Sequence, residues 1–302
     1  MQKSRFKKIL LFVSFVLAIL PFSRHFFSLQ ADEPTKKQPK KVIIFDIGGI
    51  LITTNINTAL NVLGSKSLAA YSFFDWRSPH NLRPVVYKLI DLLSTEKNTT
   101  VCDHFGDYLP FLFCQVLKGK IMESQALELV LKTIECNKDH FCSVREQELC
   151  KKVAQMMFDH ELLISLQEEV KAGVELLQEC IKQGHTVLIF SNYGPQSFAE
   201  LKKKFPHIFN QIPDTHLIIS GHVGHAKPEL SAFEQLEKRL KQLGITAQPD
   251  TCFFIDDQKE NIRQSSKKIT AIHVEKQNFK EAEKTILGEQ QLPKKKLKRS
   301  KK

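Results

Sequence analysis

The second half of the chain alternates short apolar runs with amphipathic segments of helical period. The apolar runs are HTVLIFSN, HLIIS, TCFFIDD and ITAIHVE, and an earlier one, KVIIFDIGGILI, spans residues 41–52. Each run has the composition of a buried strand, and the segments between them carry apolar residues at three- and four-residue spacing. Strands that alternate with helices form a parallel sheet with helices on both faces. The sequence therefore predicts an α/β fold built on a doubly wound parallel sheet.

A long helical stretch interrupts this alternation after the first predicted strand. Segments such as SQALELVLKTIE and VREQELCKKVAQMMFD have helical periodicity. We predict an inserted α-helical cap domain at 54–165 and a core formed by residues 41–53 and 166–288. Residues 32–40 are polar and contain prolines, which is typical of a linker. The 302 residues are 42% hydrophobic and 25% charged, which excludes wholesale disorder and allows a sizeable core.

Polar residues stand at the ends of predicted strands or at the starts of predicted helices in four places. They are Asp46, Ser191 with Asn192, Lys227, and Asp256 with Asp257. The carboxyl ends of parallel strands form the ligand crevice, so these side chains should converge although they are far apart in sequence. A carboxylate can act as a nucleophile, and a hydroxyl and an amide can orient phosphoryl oxygens. A lysine can neutralise charge, and further carboxylates can hold a hard cation such as Mg2+.

This arrangement resembles the haloacid dehalogenase (HAD) superfamily, specifically C1-type members with a helical cap inserted after the first strand of a Rossmann-like core. The resemblance covers residues 41–275 and is most specific at VGHAKPELSAF and FFIDDQKENI. It implies that Asp46 is the nucleophile that forms an aspartyl intermediate. It also implies that Ser191 and Asn192 bind the transferring group and that Lys227 stabilises it.

The same resemblance implies a Mg2+ site. Its ligands would be Asp46, the backbone carbonyl of Gly48, and the adjacent Asp256 and Asp257, of which we favour Asp257 as the direct ligand. Asn261 would support the last of these loops. We therefore expect a Mg2+-dependent HAD-type hydrolase, a phosphatase that acts on a small phosphorylated molecule through an aspartyl-phosphate intermediate.

One position departs from the family pattern. Phosphatases of this family usually carry a second Asp two residues after the nucleophile as general acid and base, and here that residue is Gly48. The substrate can have a leaving group that needs little protonation, or another residue such as His222 or His225 can supply the proton. Alternatively, the chain is a catalytically impaired HAD-fold binding or effector protein. A dehalogenase is disfavoured because that branch usually carries a Tyr at this position.

An aromatic and basic loop early in the predicted cap is a candidate for substrate choice. The loop YSFFDWRSPHNLRP contains Tyr71, Phe73, Phe74, Trp76, Arg77, His80 and Arg83. Aromatic residues beside arginines can form a wall and an anion clamp over the crevice. The alternative is that the aromatic residues pack inside the cap and the arginines are solvated.

The net charge of +11 is concentrated at the two ends of the chain. Residues 1–41 hold nine Lys and Arg against two Asp and Glu, and residues 289–302 hold seven against one. The body between them therefore carries a net charge of −2. This distribution disfavours sequence-specific binding of nucleic acid by the folded body. The tail at 289–302 is expected to be disordered and could bind a polyanion.

The N-terminus has the pattern of an export signal. Four basic residues precede the apolar run ILLFVSFVLAILPF at residues 9–22, which is typical of a secretory signal and short for a spanning helix. We expect residues 1–31 to be a signal peptide or a membrane anchor that engages the membrane or the secretion machinery. The body would then be periplasmic, secreted or anchored to the inner membrane. A core helix is the alternative.

Seven cysteines are present, five of them between residues 102 and 150. In an exported protein they could form disulfides or remain as buried thiols. Cys136, His140, Cys142 and Cys150 could be imagined as a zinc site, although their spacing matches no standard pair.

Overall fold

The described part of the chain contains seven β-strands, which form a five-stranded sheet and a two-stranded sheet. The computed structural model describes residues 40–103, 106–265 and 267–288. The strands in those ranges are β1 (Val42–Phe45), β2 (Ile52–Thr54), β3 (Gln167–Glu169), β4 (Thr186–Ser191), β5 (Leu217–Ile219), β6 (Cys252–Asp256) and β7 (Thr270–His273). Five of them form one sheet in the order β5-β4-β1-β6-β7, with every neighbouring pair parallel. Since β1 lies in the middle and the chain winds away from it in both directions, the predicted doubly wound, Rossmann-like α/β fold is confirmed.

The helices form two groups. Those between β2 and β3 are α1 (Ile56–Leu63), α2 (Ser65–Phe74), α3 (Leu82–Asp91), α4 (Phe111–Leu117), α5 (Glu123–Cys136), α6 (Val144–Phe158) and α7 (His160–Ser165). Those that follow β3 are α8 (Lys171–Lys182), α9 (Pro195–Lys204), α10 (Pro206–Phe209), α11 (Ser220–Val223), α12 (Leu230–Gln242), α13 (Lys259–Gln264) and α14 (Lys280–Leu287). Helix α12 begins only at Leu230, because the backbone of the preceding residue, Glu229, is not helical (ψ 137°).

Alternate residues of the central strands pack on opposite faces of the sheet. Ile43, Phe45 and Ile189 belong to a buried cluster that includes residues of α8, α9 and α14. Ile44 and Phe190 belong to a second cluster that includes residues of α12. Successive residues of a strand point to opposite faces of the sheet. The central strands contain runs of consecutive apolar residues, without alternating polar ones, because both faces of this sheet are buried.

The helices between β2 and β3 have a hydrophobic cluster of their own. It contains Tyr71, Val86, Val130 and Phe158, all buried. β2 and β3 form an antiparallel pair at the two ends of this helical segment. The pair was not predicted, because β3 has the polar sequence QEE and shows no apolar alternation. The domain boundaries at 41–53, 54–165 and 166–288 stay a prediction.

Several predictions fall on residues outside the described ranges. The signal or anchor at 1–31, the linker at 32–40 apart from Lys40, and the basic tail at 289–302 lie outside the described residues. Within the described ranges, no helix combines the length and the apolar character that crossing a membrane requires.

Candidate active site

Asp46 and Lys227 form the buried centre of the site. Asp46 follows β1 directly, and its backbone N–H donates to the carbonyl of Ile255 in β6 at 2.9 Å. The Nζ of Lys227 lies 2.9 Å from Oδ1 of Asp46 and 2.5 Å from Oδ2 of Asp256. The Lys227 side chain is only 1% exposed. One lysine therefore joins the carboxylates that follow β1 and end β6.

The surroundings of Lys227 keep it charged. Burial by itself would lower the pKa of Lys227, but the carboxylates of Asp256 and Asp46 outweigh burial and raise it. The rings of Phe190 and Phe254 have their centroids 5.3 Å from Nζ, a distance at which a cation is attracted to the ring face. A buried ammonium is costly unless it is paired, and here two carboxylates pair with it.

Ser191 ends the neighbouring strand β4, Asn192 follows it, and both side chains hold the loops of the site. The side-chain amide of Asn192 donates to the carbonyl of Lys227 and accepts from its backbone N–H, both at 2.8 Å. The amide therefore fixes the backbone that carries Lys227. Ser191 Oγ accepts from the backbone N–H of Ile47 at 3.4 Å, one residue after Asp46. The predicted binding of the transferring group by these two residues stays a prediction.

Three carboxylates form an oxygen cluster that could hold a metal ion. One oxygen each of Asp46, Asp256 and Asp257 lies within 4.8 Å of the others, and this is the one such group in the described part of the chain. Asp256 also accepts from Asn261 Nδ2 at 3.0 Å and from the backbone of Gln258 at 2.8 Å. Asp256 is thus held by Lys227, Asn261 and Gln258, and the prediction that Asp257 is the direct metal ligand stays a prediction. An all-oxygen set of this kind suits a hard divalent cation.

Burial also changes the acidity of the two adjacent aspartates. It raises the pKa of Asp257 to about 7, with the negative charge of Asp46 acting in the same direction. Burial likewise raises the pKa of Asp256, against the opposing effect of Lys227. A cation placed among these oxygens would favour their ionised forms.

The loop after Asp46 contains two adjacent glycines with different surroundings. Gly49 has a φ of +69°, and a Cβ added there would lie 2.2 Å from Oδ2 of Asp257. A Cβ added at Gly48 would meet no atom within 4 Å. Gly49 is therefore required for the close approach of Asp257, whereas Gly48 leaves room for a side chain. The sequence analysis named Gly48 as a site residue but not Gly49. The two adjacent glycines after Asp46 could have indicated Gly49 as well.

All the predicted site residues except the fully buried Asp256 line a cavity of about 580 Å³. Its lining includes Asp46, Gly48, Ser191, Asn192, Lys227, Asp257 and Asn261, together with Thr53, Thr54, Ile56, Gln167 and Tyr193. The last five were not predicted as site residues. Four of them lie in or beside the β2–β3 pair, which was itself not predicted, and Tyr193 follows Asn192. A second cavity of about 480 Å³ shares Gly49, Thr53, Asp257 and Gln258 with the first.

The comparison with known proteins agrees with the fold and the motifs. A family model described as a haloacid dehalogenase-like hydrolase matches residues 40–263. The chain belongs to this family. No curated protein sequence matches it.

Several solved structures of HAD proteins are similar to this HAD-like hydrolase. An Asp-to-Ala variant of a HAD family enzyme from Bacteroides thetaiotaomicron, in complex with magnesium and inorganic phosphate, is 17% identical, with a TM-score of 0.49, and the match covers 78% of this chain and 93% of that one. A protein from Porphyromonas gingivalis described as a predicted HAD-like family hydrolase is 15% identical, with a TM-score of 0.46, and the match covers 82% of this chain and 98% of that one. A HAD family hydrolase from Deinococcus radiodurans with bound phosphate and sodium is 16% identical, with a TM-score of 0.42 and coverage of 77% and 80%.

The aromatic and basic loop of this HAD-like protein does not form the predicted wall over the described cavity. Tyr71 is buried among the inserted helices, where its hydroxyl donates to Glu146 at 2.6 Å. Phe73, Phe74 and Trp76 are exposed, and neither they nor Arg77, His80 and Arg83 line the cavity that contains Asp46.

The alternative proton donors and the cysteines also lie apart from the cavity. His222 is exposed with its ring against Phe198, and neither it nor His225 lines the cavity around Asp46. All seven cysteines lie in the described ranges and are free thiols, so no disulfide forms among them. The imagined zinc ligands do not assemble, since Cys136 and Cys142 are exposed and Cys150 is buried in the helical cluster.

Proposed function

We propose that this HAD-like hydrolase is a Mg2+-dependent phosphatase that acts on a small phosphorylated molecule through Asp46. The observation that carries the proposal is the contact of Lys227 with Asp46 at 2.9 Å, in a cavity that also contains the carboxylate of Asp257. A carboxylate held beside a buried lysine and an oxygen-only cation site suits nucleophilic attack on an anionic phosphoryl group.

In the proposed reaction, a carboxylate oxygen of Asp46 attacks phosphorus and forms an aspartyl phosphate, while the bond from phosphorus to the ester oxygen breaks. Water then hydrolyses the aspartyl phosphate, which releases inorganic phosphate and restores Asp46. Lys227 neutralises negative charge at Asp46 and on the phosphoryl oxygens. Asn192 holds the backbone of Lys227 in register with the nucleophile.

The proposed metal ligands are Asp46, the carbonyl of Gly48, Asp257 and Asp256. When bound there, Mg2+ would supply positive charge that offsets the repulsion between the carboxylates and the phosphoryl group. The all-oxygen composition of the cluster fits this cation.

The leaving alkoxide needs a proton, and Gly48 cannot supply one. A positioned general acid contributes about 10²- to 10⁴-fold in rate. The proposed substrates are therefore phosphates with good leaving groups, such as anomeric or acyl phosphates. The same glycine favours a second candidate, an impaired HAD-fold protein that binds a phosphorylated ligand without turnover.

The test is a substrate panel assayed with the purified full chain and Mg2+. The panel contains sugar phosphates, acyl phosphates and a chromogenic aryl phosphate. We expect turnover of the activated phosphates, and a loss of at least about 1,000-fold in Asp46→Asn, because that variant lacks the nucleophile. Activity that Asp46→Asn leaves unchanged would contradict the assignment of the nucleophile. Saturable binding of a phosphorylated compound without turnover of any panel member would support the second candidate.

A further inference from the structure

The end of one inserted helix contacts the loop that carries Lys227. Lys118 follows α4 directly, and its ammonium pairs with the carboxylate of Glu229, two residues after Lys227. The two side chains are 19% and 20% exposed. Solvent therefore screens this pair less than the ion pairs on the open surface.

Glu229 also closes the loop that contains Lys227. Its Oε2 accepts from the backbone N–H of Ala226 at 3.2 Å, and its own N–H donates to the carbonyl of Ala226 at 2.9 Å. Asn192 holds the backbone of Lys227 from the side of the sheet. The Lys227 loop is thus fixed by β4 on one side and by Glu229 with Lys118 on the other.

The backbone on either side of Lys118 is itself anchored to the core. The carbonyl of Leu117 accepts from Ser220 Oγ at 2.6 Å. A Cβ added at Gly119 would lie 2.2 Å from the carbonyl oxygen of Gly221. Since the backbone is held at both neighbouring positions, pairing of Lys118 with Glu229 orders the two side chains without a further cost in backbone entropy.

We propose that Lys118 and Glu229 are positioning residues through which the inserted helices hold Lys227 against Asp46. Neither residue lines the cavity that contains Asp46, so both act through Lys227. The buried Nζ of Lys227 is held 2.9 Å from Asp46 and 2.5 Å from Asp256, and a small shift of its loop would lengthen both contacts. This inference rests on the proposed function, since it concerns the lysine that serves the proposed reaction.

The first test compares kinetics in the full chain. The variants are Lys118→Met, Glu229→Gln and the double variant, and the matched control is Lys202→Met, which breaks the ion pair with Asp214 (2.7 Å) elsewhere on the core. We expect kcat to fall about tenfold at nearly constant KM in both single variants, because a misplaced lysine chiefly affects the transition state. The double variant should lose no more than either single variant, and Lys118→Arg should restore most of kcat.

The second test is amide hydrogen exchange of a peptide covering residues 225–229, measured without substrate. Lys118→Met should increase exchange there by about tenfold, and Lys202→Met should leave it unchanged. If the wild-type chain shows no turnover that depends on Asp46, the proposed function fails, and this exchange measurement decides the positioning role by itself. The inference is overturned if Lys118→Met and Glu229→Gln match the control in exchange, or if their kcat equals that of the wild type.

Discussion

At the residue scale, Lys227 combines a very low exposure with a full charge. Its ammonium is stabilised by the carboxylates of Asp46 and Asp256 and by two aromatic rings. Removal of one partner from a buried pair is strongly destabilising, because it leaves an uncompensated charge in the interior. The position of the nucleophile is thus coupled to the stability of the core beneath it.

Gly48 gives the sharpest prediction at this scale. A Cβ at this position meets no atom within 4 Å, so Gly48→Asp should fold without steric conflict. If only the general acid is missing, we expect this variant to raise kcat on phosphates with poor leaving groups by about 10- to 100-fold. Steady-state kinetics with an alkyl phosphate and an activated phosphate measure the effect.

The control for Gly48→Asp is Gly49→Asp. There, the added Cβ would lie 2.2 Å from Oδ2 of Asp257 and the backbone is left-handed. This variant should lose activity and stability. If Gly48→Asp leaves kcat unchanged on both substrates, the general acid is not the only group that the site lacks.

The acidity of Asp257 predicts how Mg2+ binding depends on pH. Burial and the charge of Asp46 raise the pKa of Asp257 to about 7. Below that pH the carboxyl is protonated in the metal-free protein, so the apparent dissociation constant for Mg2+ should rise by about tenfold for each unit by which pH falls. Calorimetric titration between about pH 5.5 and pH 8 measures it. Affinity that does not change with pH would contradict Asp257 as a ligand, and Asp257→Asn should bind Mg2+ more weakly than the wild type throughout this pH range.

The same shift has a definite sign for folding. The carboxyl of an unfolded Asp has a pKa of about 3.9, so between about pH 4 and pH 7 the folded, metal-free protein binds more protons at Asp257 than the unfolded chain does. The contribution of Asp257 to stability is therefore greatest below the unfolded value and is lost as pH rises toward 7. Bound Mg2+ should offset this loss at neutral pH.

At the element scale, the short β2–β3 pair determines where the inserted helices leave and rejoin the core. Ile52 pairs with Glu169, and Thr54 pairs with Gln167. Thr54 and Gln167 also line the cavity that contains Asp46. The connection between the two parts of the chain is therefore part of the cavity wall, where it can contact a substrate.

Helix α8 approaches the loop after Asp46 more closely than any side chain would permit. A Cβ added at Gly173 would lie 1.8 Å from the carbonyl oxygen of Ile50 and 3.0 Å from the ring of Phe279. Replacement of Gly by Ala inside a helix ordinarily stabilises it by about 1 kcal/mol.

For Gly173→Ala we expect the opposite sign. The clash with the Ile50 backbone should destabilise the protein by about 1–3 kcal/mol, measured as a lower midpoint of urea unfolding. Gln178→Ala, at an exposed position of the same helix, is the control and should change stability little. A Gly173→Ala variant as stable as the wild type would show that α8 and this loop can move apart.

At the scale of the whole molecule, the charge distribution separates a nearly neutral body from two basic ends. The ends at 1–41 and 289–302 carry +7 and +6, and the body carries −2. We propose that the N-terminal end directs export or anchors the protein in the membrane, and that the tail is available to a polyanion.

The export proposal has a direct test. Alkaline phosphatase fused after residue 40 should be active outside the bacterial cytoplasm, since that reporter requires an oxidising compartment to form its disulfides. The control is the same fusion with residues 9–22 deleted, which should be inactive. Equal activity of the two fusions would contradict export by this segment.

The sequence by itself determined the five strands of the parallel sheet, the helices that alternate with them, and the central residues of the site. Apolar runs buried on both faces and separated by amphipathic helices have few ways to fold other than as a parallel sheet, and such a sheet collects its strand ends at one edge. For this reason the pattern of the sequence is sufficient to predict that Asp46, Lys227 and Asp257 lie together.

Only the tertiary structure decided what surrounds those residues. The polar strand β3, the outward position of Phe73 and Trp76, and the contact of Lys118 with Glu229 depend on how separate elements pack, which no local periodicity encodes. The two glycines have different roles for the same reason. Gly49 lies against Asp257, which follows the sequence-distant strand β6, whereas Gly48 faces open space. Local pattern determines which elements form, and packing between distant elements determines which side chains meet.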